Sequence, residues 1–183
     1  MNKTLTCIAA FFAFTFLSIP ISYSQIRSRS SIGVGVGINQ PMQNGYRIGR
    51  DRVIQANIRL NRRLTLMPTL GVENIKGNNK GAYNGYYFTE SGRSVGLVFL
   101  NPAMRYYFSK TLFGFAGPSV YIGGENASSS GLGGTAGAGY DWPVDDYSSL
   151  ELSLRADVLP VYSKTVPVAG LRLAYKFNFS ARY

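Results

Sequence analysis

The sequence predicts an all-β chain, an eight-stranded antiparallel up-and-down transmembrane β-barrel preceded by a cleavable signal peptide. Three observations predict it. From Leu171 to Tyr183 the odd positions are apolar or small (Leu171, Leu173, Tyr175, Phe177, Phe179, Ala181, Tyr183), and the even ones are polar, charged or small. Successive strand side chains point to opposite faces, so this segment has one oily side and one wet side. Its length suits a membrane-crossing strand, which needs about 9–11 residues. Second, alternation of this kind recurs in about eight segments, separated by connections that are in turn short and long. Third, the chain opens on an export signal.

That signal occupies residues 1–24. Lys3 gives a positive start, Cys7–Ile21 is apolar with only Thr15, Ser18 and Pro20 interrupting, and Ser22-Tyr23-Ser24 sets small residues before a cut ahead of Gln25. The apolar stretch is shorter than the ~20 residues of a spanning helix. Cleavage near Ser24 leaves residues 25–183 as one domain. The single cysteine, Cys7, leaves with the signal, so an exported chain without disulfides relies on its fold alone.

The segments follow in order. Ser31–Asn39 sets Ile32, Val34, Val36 and Ile38 against three glycines. Arg52–Asn61 sets Ile54, Ala56, Ile58 and Leu60 against Gln55, Asn57 and Arg59. Leu64–Asn74 sets Leu64, Leu66, Leu70 and Val72 against Thr65, Thr69 and Glu73. Ser94–Phe108 sets Val98, Leu100, Met104, Tyr106 and Phe108 against Asn101, Ala103 and Arg105. Leu112–Gly123 alternates least, with Phe113, Phe115 and Tyr121 opposite Leu112, Val120 and Ile122. Leu132–Trp142 alternates with glycines. Ser149–Tyr162 sets Leu150, Leu152 and Leu154 against Glu151, Ser153, Arg155 and Asp157, and Leu171–Tyr183 closes the chain.

Asn61–Arg63, Ser109–Thr111 and Pro143–Tyr147 read as tight turns. Gln40–Gly49, Lys76–Gly92 and Gly124–Ser130 read as longer polar loops, and Ser163–Val166 as a short last connection. Short turns on one rim and longer loops on the other are the layout of an outer-membrane barrel, with short turns periplasmic. Tyr106, Phe108, Tyr140, Trp142, Phe177, Phe179 and Tyr183 gather toward the turn rim, where amphipathic rings favour a head-group boundary; they form a predicted aromatic girdle.

Glycines and charges share the wet face, which is the composition of a narrow interior. Arg59, Glu73, Arg105, Glu151, Arg155, Asp157, Arg172 and Lys176 are therefore expected inside the cylinder as an interior polar network, since buried charge needs partners. A last hairpin pivoting at Lys164–Thr165 would bring Asp157 to Arg172, and Glu151 and Arg155 to Lys176.

The chain has no histidine. That removes Ser-His and Cys-His nucleophile pairs and ordinary zinc sites, so no catalytic, metal or cofactor site is expected. Asp145-Asp146 lies in a predicted turn, where solvation explains it. Gly131–Ala136 fits a loose dinucleotide fingerprint but lacks the helix that pattern requires. The net charge of +10, one less after Lys3 is lost, points to phosphorylated lipid head groups rather than nucleic acid in an exported chain. Arg47, Arg50 and Lys80, near predicted loops, either contact lipopolysaccharide phosphates or are solvated loop charge. Tyr83, Tyr86 and Tyr87 mark a candidate surface for a protein or glycan partner.

Gln25 after the cut, Asn101–Phe108 leading into a tight turn, Phe113–Tyr121 with its Ala-Gly-Pro centre, and Leu171–Phe179 resemble the small outer-membrane β-barrel family of Bacteroidetes-type bacteria, similar in architecture to OmpA/OmpX-type barrels. The resemblance implies a monomeric barrel in a Gram-negative outer membrane, folded by the barrel-assembly machinery. The expected function is non-enzymatic: envelope integrity or surface interaction through extracellular loops. The alternatives are an accessory component of a secretion or transport system, and a histidine-independent lipid-modifying enzyme.

Overall fold

The structure, a computed structural model, describes residues 30–77, 94–123, 129–161 and 164–179. The predicted signal peptide, Lys80, Tyr83, Tyr86, Tyr87 and Tyr183 lie outside them. Eight strands follow one another: β1 (Ser30–Pro41), β2 (Tyr46–Arg59), β3 (Leu64–Gly77), β4 (Val95–Tyr107), β5 (Leu112–Gly123), β6 (Gly131–Pro143), β7 (Ser148–Val161) and β8 (Lys164–Phe179). Each pairs antiparallel with the next, and β8 pairs with β1 to close the cylinder. Closure leaves no edge strand to be covered.

Two strands begin earlier than the alternation indicates. β2 starts at Tyr46 rather than Arg52, because its register against β3 shifts between Arg47 and Arg50. Such a bulge adds a residue to one strand and breaks the period by which a strand is recognised. The predicted loop Gln40–Gly49 thus shrinks to Met42–Gly45, where Gly45 takes a φ of +96° that other residues rarely adopt. β8 starts at Lys164 rather than Leu171; Pro167 and Gly170 disguise its first half. Pro167 cannot donate a ladder bond, yet its carbonyl accepts the Met42 N–H at 2.9 Å.

The earlier start of β8 also corrects the last hairpin. Val161 pairs with Lys164, so Asp157 lies opposite Val168, Arg155 opposite Gly170 and Arg172 opposite Ser153. The slip from the predicted register is even, so every side chain keeps its face while its partners change.

The three tight turns share one construction. The N–H of Leu60 donates to Leu64 O, that of Phe108 to Leu112 O, and that of Val144 to Ser148 O. The side chain of the next residue caps the turn. Asn61 Oδ1 accepts from the N–H groups of Arg63 and Leu64, and Ser109 Oγ from those of Thr111 and Leu112. Asp145 Oδ1 accepts from the Tyr147 N–H, and its other oxygen accepts from the Ser148 hydroxyl. Asn, Asp and Ser are favoured here because a short polar side chain satisfies amides the turn leaves free.

Polarity is inverted relative to a water-soluble barrel. Val34 is 58% exposed, Leu154 67% and Leu132 80%, whereas Arg105 and Glu73 are fully buried. Among the described residues no helix is long and apolar enough to cross a membrane. The lumen is layered. Toward the loop rim, Val53, Ile75, Leu97, Phe99, Tyr121, Leu159, Val161, Val166 and Val168 form an apolar plug, against which Tyr46 packs. Toward the turn rim, Met67, Ala103, Tyr107, Phe113 and Phe115 form a second. The poorly alternating β5 is explained by this: Phe113, Phe115 and Tyr121 point inward as packing.

Candidate functional site

Two charged clusters are packed among these apolar side chains. The one nearer the loop rim centres on Arg155. Its guanidinium reaches Glu73 Oε1 at 3.1 Å, Asp157 Oδ2 at 2.8 Å and Asp51 Oδ2 at 3.6 Å. Arg172 holds Asp51 Oδ2 through Nη2 at 2.7 Å and Nε at 2.8 Å. Asn39 donates to Glu73 at 2.8 Å, and the Thr135 hydroxyl to Asp157 at 2.6 Å. Three carboxylates here face two guanidiniums.

The cluster nearer the turn rim centres on Glu151. Arg105 grips both its oxygens, at 2.8 and 2.9 Å, in the two-pronged geometry that makes an Arg–carboxylate pair strong. Lys176 Nζ lies 3.0 Å from the same carboxylate and also binds Asp141, and Gln55 donates to Glu151 at 3.2 Å. The Tyr107 hydroxyl lies 3.3 Å from Arg105 Nη1 and 3.4 Å from Asp141 Oδ2. The Arg105 guanidinium carbon stands 4.0 Å from the centre of the Phe113 ring, in cation–π contact.

Seven of the eight residues expected in the interior network are brought into these clusters: Glu73, Arg105, Glu151, Arg155, Asp157, Arg172 and Lys176. Arg59 is not. It keeps the inward parity of β2 but stands at the end of the strand, exposed, with its Nε 3.4 Å from Asn61 O. Parity fixes a face, whereas height on the barrel decides whether that face is enclosed. Of the expected contacts in the last hairpin, Glu151 meets Lys176, while Asp157 turns to Arg155 and Arg172 to Asp51.

The expected network left out Gln55 and Asp141, which alternation sets on the wet face, and missed Asp51 and Tyr107 altogether. The signal for Asp51 was present: counting back by twos from Asn57 gives Gln55, Val53 and Asp51, all buried. Tyr107 shares the parity of Arg105 and faces the lumen, unlike its neighbours Tyr106 and Phe108. Among the described residues no group of three or more His, Cys, Asp or Glu side chains is placed to hold a metal ion.

Tyr106, Phe108, Tyr140, Trp142, Phe177 and Phe179 are exposed on the outer face toward the turn rim. They meet in pairs, with ring centres 5.4 Å apart for Tyr106–Phe108 and 4.7 Å for Tyr140–Trp142. Phe177 pairs with Tyr175 at 5.1 Å. Arg47 and Arg50, expected in or beside a loop, belong to β2, and both are exposed.

The whole cylinder superposes on Ail, the attachment invasion locus protein of Yersinia pestis, with a TM-score of 0.53 at 13% identity, over 84% of this chain and 99% of that one. It superposes on Neisserial surface protein A with a TM-score of 0.53 at 16% identity, over 83% and 98%. The fold is that of a small outer-membrane β-barrel. At these identities the likeness is one of fold. No protein-family model matches the sequence, and no curated protein matches it.

Proposed function

We propose that this chain is a non-enzymatic outer-membrane barrel of a Gram-negative bacterium, kin to the small Bacteroidetes-type barrels, that supports envelope integrity or surface interaction through its extracellular loops. One observation carries the reading: a closed cylinder whose apolar side chains face out and whose charges are paired within. In water that arrangement would expose a wide oily belt, while in a bilayer the same belt is solvated by hydrocarbon. The lumen supports a structural role. Its charged clusters are packed among apolar side chains, and eight strands enclose an interior just wide enough for side chains.

In this reading the short turns and both ends of the barrel lie on the periplasmic side, where the outward aromatics of β4, β6 and β8 anchor at the head groups. The chain is a monomer, processed near Ser24 and inserted by the barrel-assembly machinery. The test is fractionation of cells expressing the full chain, with a cysteine at Tyr83 labelled in intact cells by a membrane-impermeant reagent. Recovery in the outer membrane with external labelling is expected. A freely water-soluble, unlabelled protein overturns the reading. Deletion is expected to raise detergent sensitivity while leaving the lipid A mass spectrum unchanged; an altered spectrum would indicate an enzyme.

A further inference from the structure

We infer that the outer face of the barrel at its loop rim holds a phosphate-bearing membrane lipid, gripped by Arg47, Arg50, Arg52 and Lys76; this rests on the outer-membrane reading above. All four side chains are exposed on β2 and β3. Arg47 stands directly across the ladder from Lys76, Arg50 from Asn74 and Arg52 from Val72. The carboxylates of the same two strands, Asp51 and Glu73, face the lumen and are taken up by Arg155 and Arg172. Alternation has thus sorted the charges, negative inward and positive outward. Among the described residues none of the four cations has a salt-bridge partner.

Like charges directly opposite on a sheet repel, so Arg47 and Lys76 face each other at a cost unless an anion bridges them. The surroundings say what kind. Arg50 lies beside Ile38, and Arg52 beside Val36, on β1. Val72 pairs with Val98 on β4. These apolar neighbours are all exposed, so the cations stand at the upper margin of the oily belt. A ligand matching both parts has acyl chains to lie along Val36, Val72 and Val98, and phosphate to meet the cations. Arginine forks bind phosphate in two-pronged fashion, and long basic side chains lay their stems on apolar surface while the charge reaches the head groups. Four cations suit a head group with more than one phosphate, the chemistry of a lipopolysaccharide anchor.

The test uses the full processed chain folded in neutral detergent and titrated with bisphosphorylated lipid A, binding being read by native mass spectrometry. R47Q/R50Q/R52Q/K76Q is expected to bind at least tenfold more weakly while keeping its heat-modifiable folded band. The wild type is expected to lose as much with dephosphorylated lipid A, and inorganic phosphate should not displace the lipid. R62Q/K110Q, at the other rim, should bind as the wild type does. Should the fourfold variant fail to fold, R50Q/R52Q and the dephosphorylated lipid carry the same comparison. Equal binding by variant and wild type, equal binding of dephosphorylated lipid, or displacement by inorganic phosphate overturns the site. Fractionation separates the two claims: a protein found outside the outer membrane that still binds lipid A sinks the location and not the site.

Discussion

Phe115 stands directly opposite Gly137 across the β5–β6 ladder, and a β-carbon placed on Gly137 would lie 2.6 Å from the Phe115 ring and closer still to the Leu154 carbonyl oxygen. The pattern repeats with Phe113 opposite Gly139. Over the glycines of β1 charged side chains take the same part, Lys176 opposite Gly33 and Asp51 opposite Gly37. Each of these four lumen side chains lies over a residue with none. Gly137→Ala is therefore expected to destabilise the barrel by about 1–3 kcal/mol, the usual cost of overpacking, seen as a lower temperature for loss of the folded band on a gel. Gly134→Ala, three residues away, is the control. Its β-carbon would meet nothing nearer than Gly117 O at 3.7 Å, and stability should hold.

Arg105 and Glu151 form a fully enclosed ion pair, with side chains 0% and 2% exposed. Removing one partner leaves the other charge buried, so Arg105→Leu should cost about 3–5 kcal/mol. The double variant Arg105→Leu/Glu151→Gln should cost less than the sum of the singles, because it removes both charges. Urea unfolding in lipid vesicles measures the cycle, and simple additivity would mean the pair does not couple.

Asp51 and Glu73 share one cluster but not one importance. Asp51 is reached by both Arg155 and Arg172, and its loss would leave two guanidiniums with less charge to face. Glu73 meets Arg155 and Asn39 through one oxygen, and it belongs to a cluster with a carboxylate to spare. Glu73→Gln should cost less than about 1 kcal/mol, whereas Asp51→Asn should cost at least about 3 kcal/mol. The same unfolding assay ranks them, and the reverse order would refute the charge count.

Leu154 is central in β7 and faces outward. Leu154→Arg should destabilise the barrel in lipid by about 2–4 kcal/mol, the range for a cation at mid-membrane on a lipid-facing strand. A neutral effect would show that this face meets water.

Asp145 caps the β6–β7 turn, and the Ser148 hydroxyl, followed by the Tyr147 N–H, holds its carboxyl below the ordinary value. A carboxylate lowered in the folded state lends stability above its unfolded pKa and loses it as the pH falls through the folded one. Asp145→Asn should therefore lower the unfolding midpoint slightly at neutral pH. The difference should shrink as the buffer is taken down through the carboxylate range, and a difference that grows with acid would contradict the cap.

The chain by itself determined which way each side chain points. A period of two residues is local, and so Arg105, Glu151, Arg155, Arg172 and Lys176 were legible as one face without any knowledge of their partners. The turn at Asn61 was legible for the same reason, since a few adjacent residues carry it. Only the tertiary structure decided which charges meet. Arg172 reaches Asp51 across 121 residues of sequence, and Arg155 reaches Glu73 across 82. Those encounters depend on the register of all eight ladders and on closure of β8 against β1. Height on the barrel put Arg59 beyond the lumen, and a bulge moved Arg47 from loop to strand. Alternation is set by backbone geometry between neighbours, whereas register is set by how whole strands fit, and no local pattern records that.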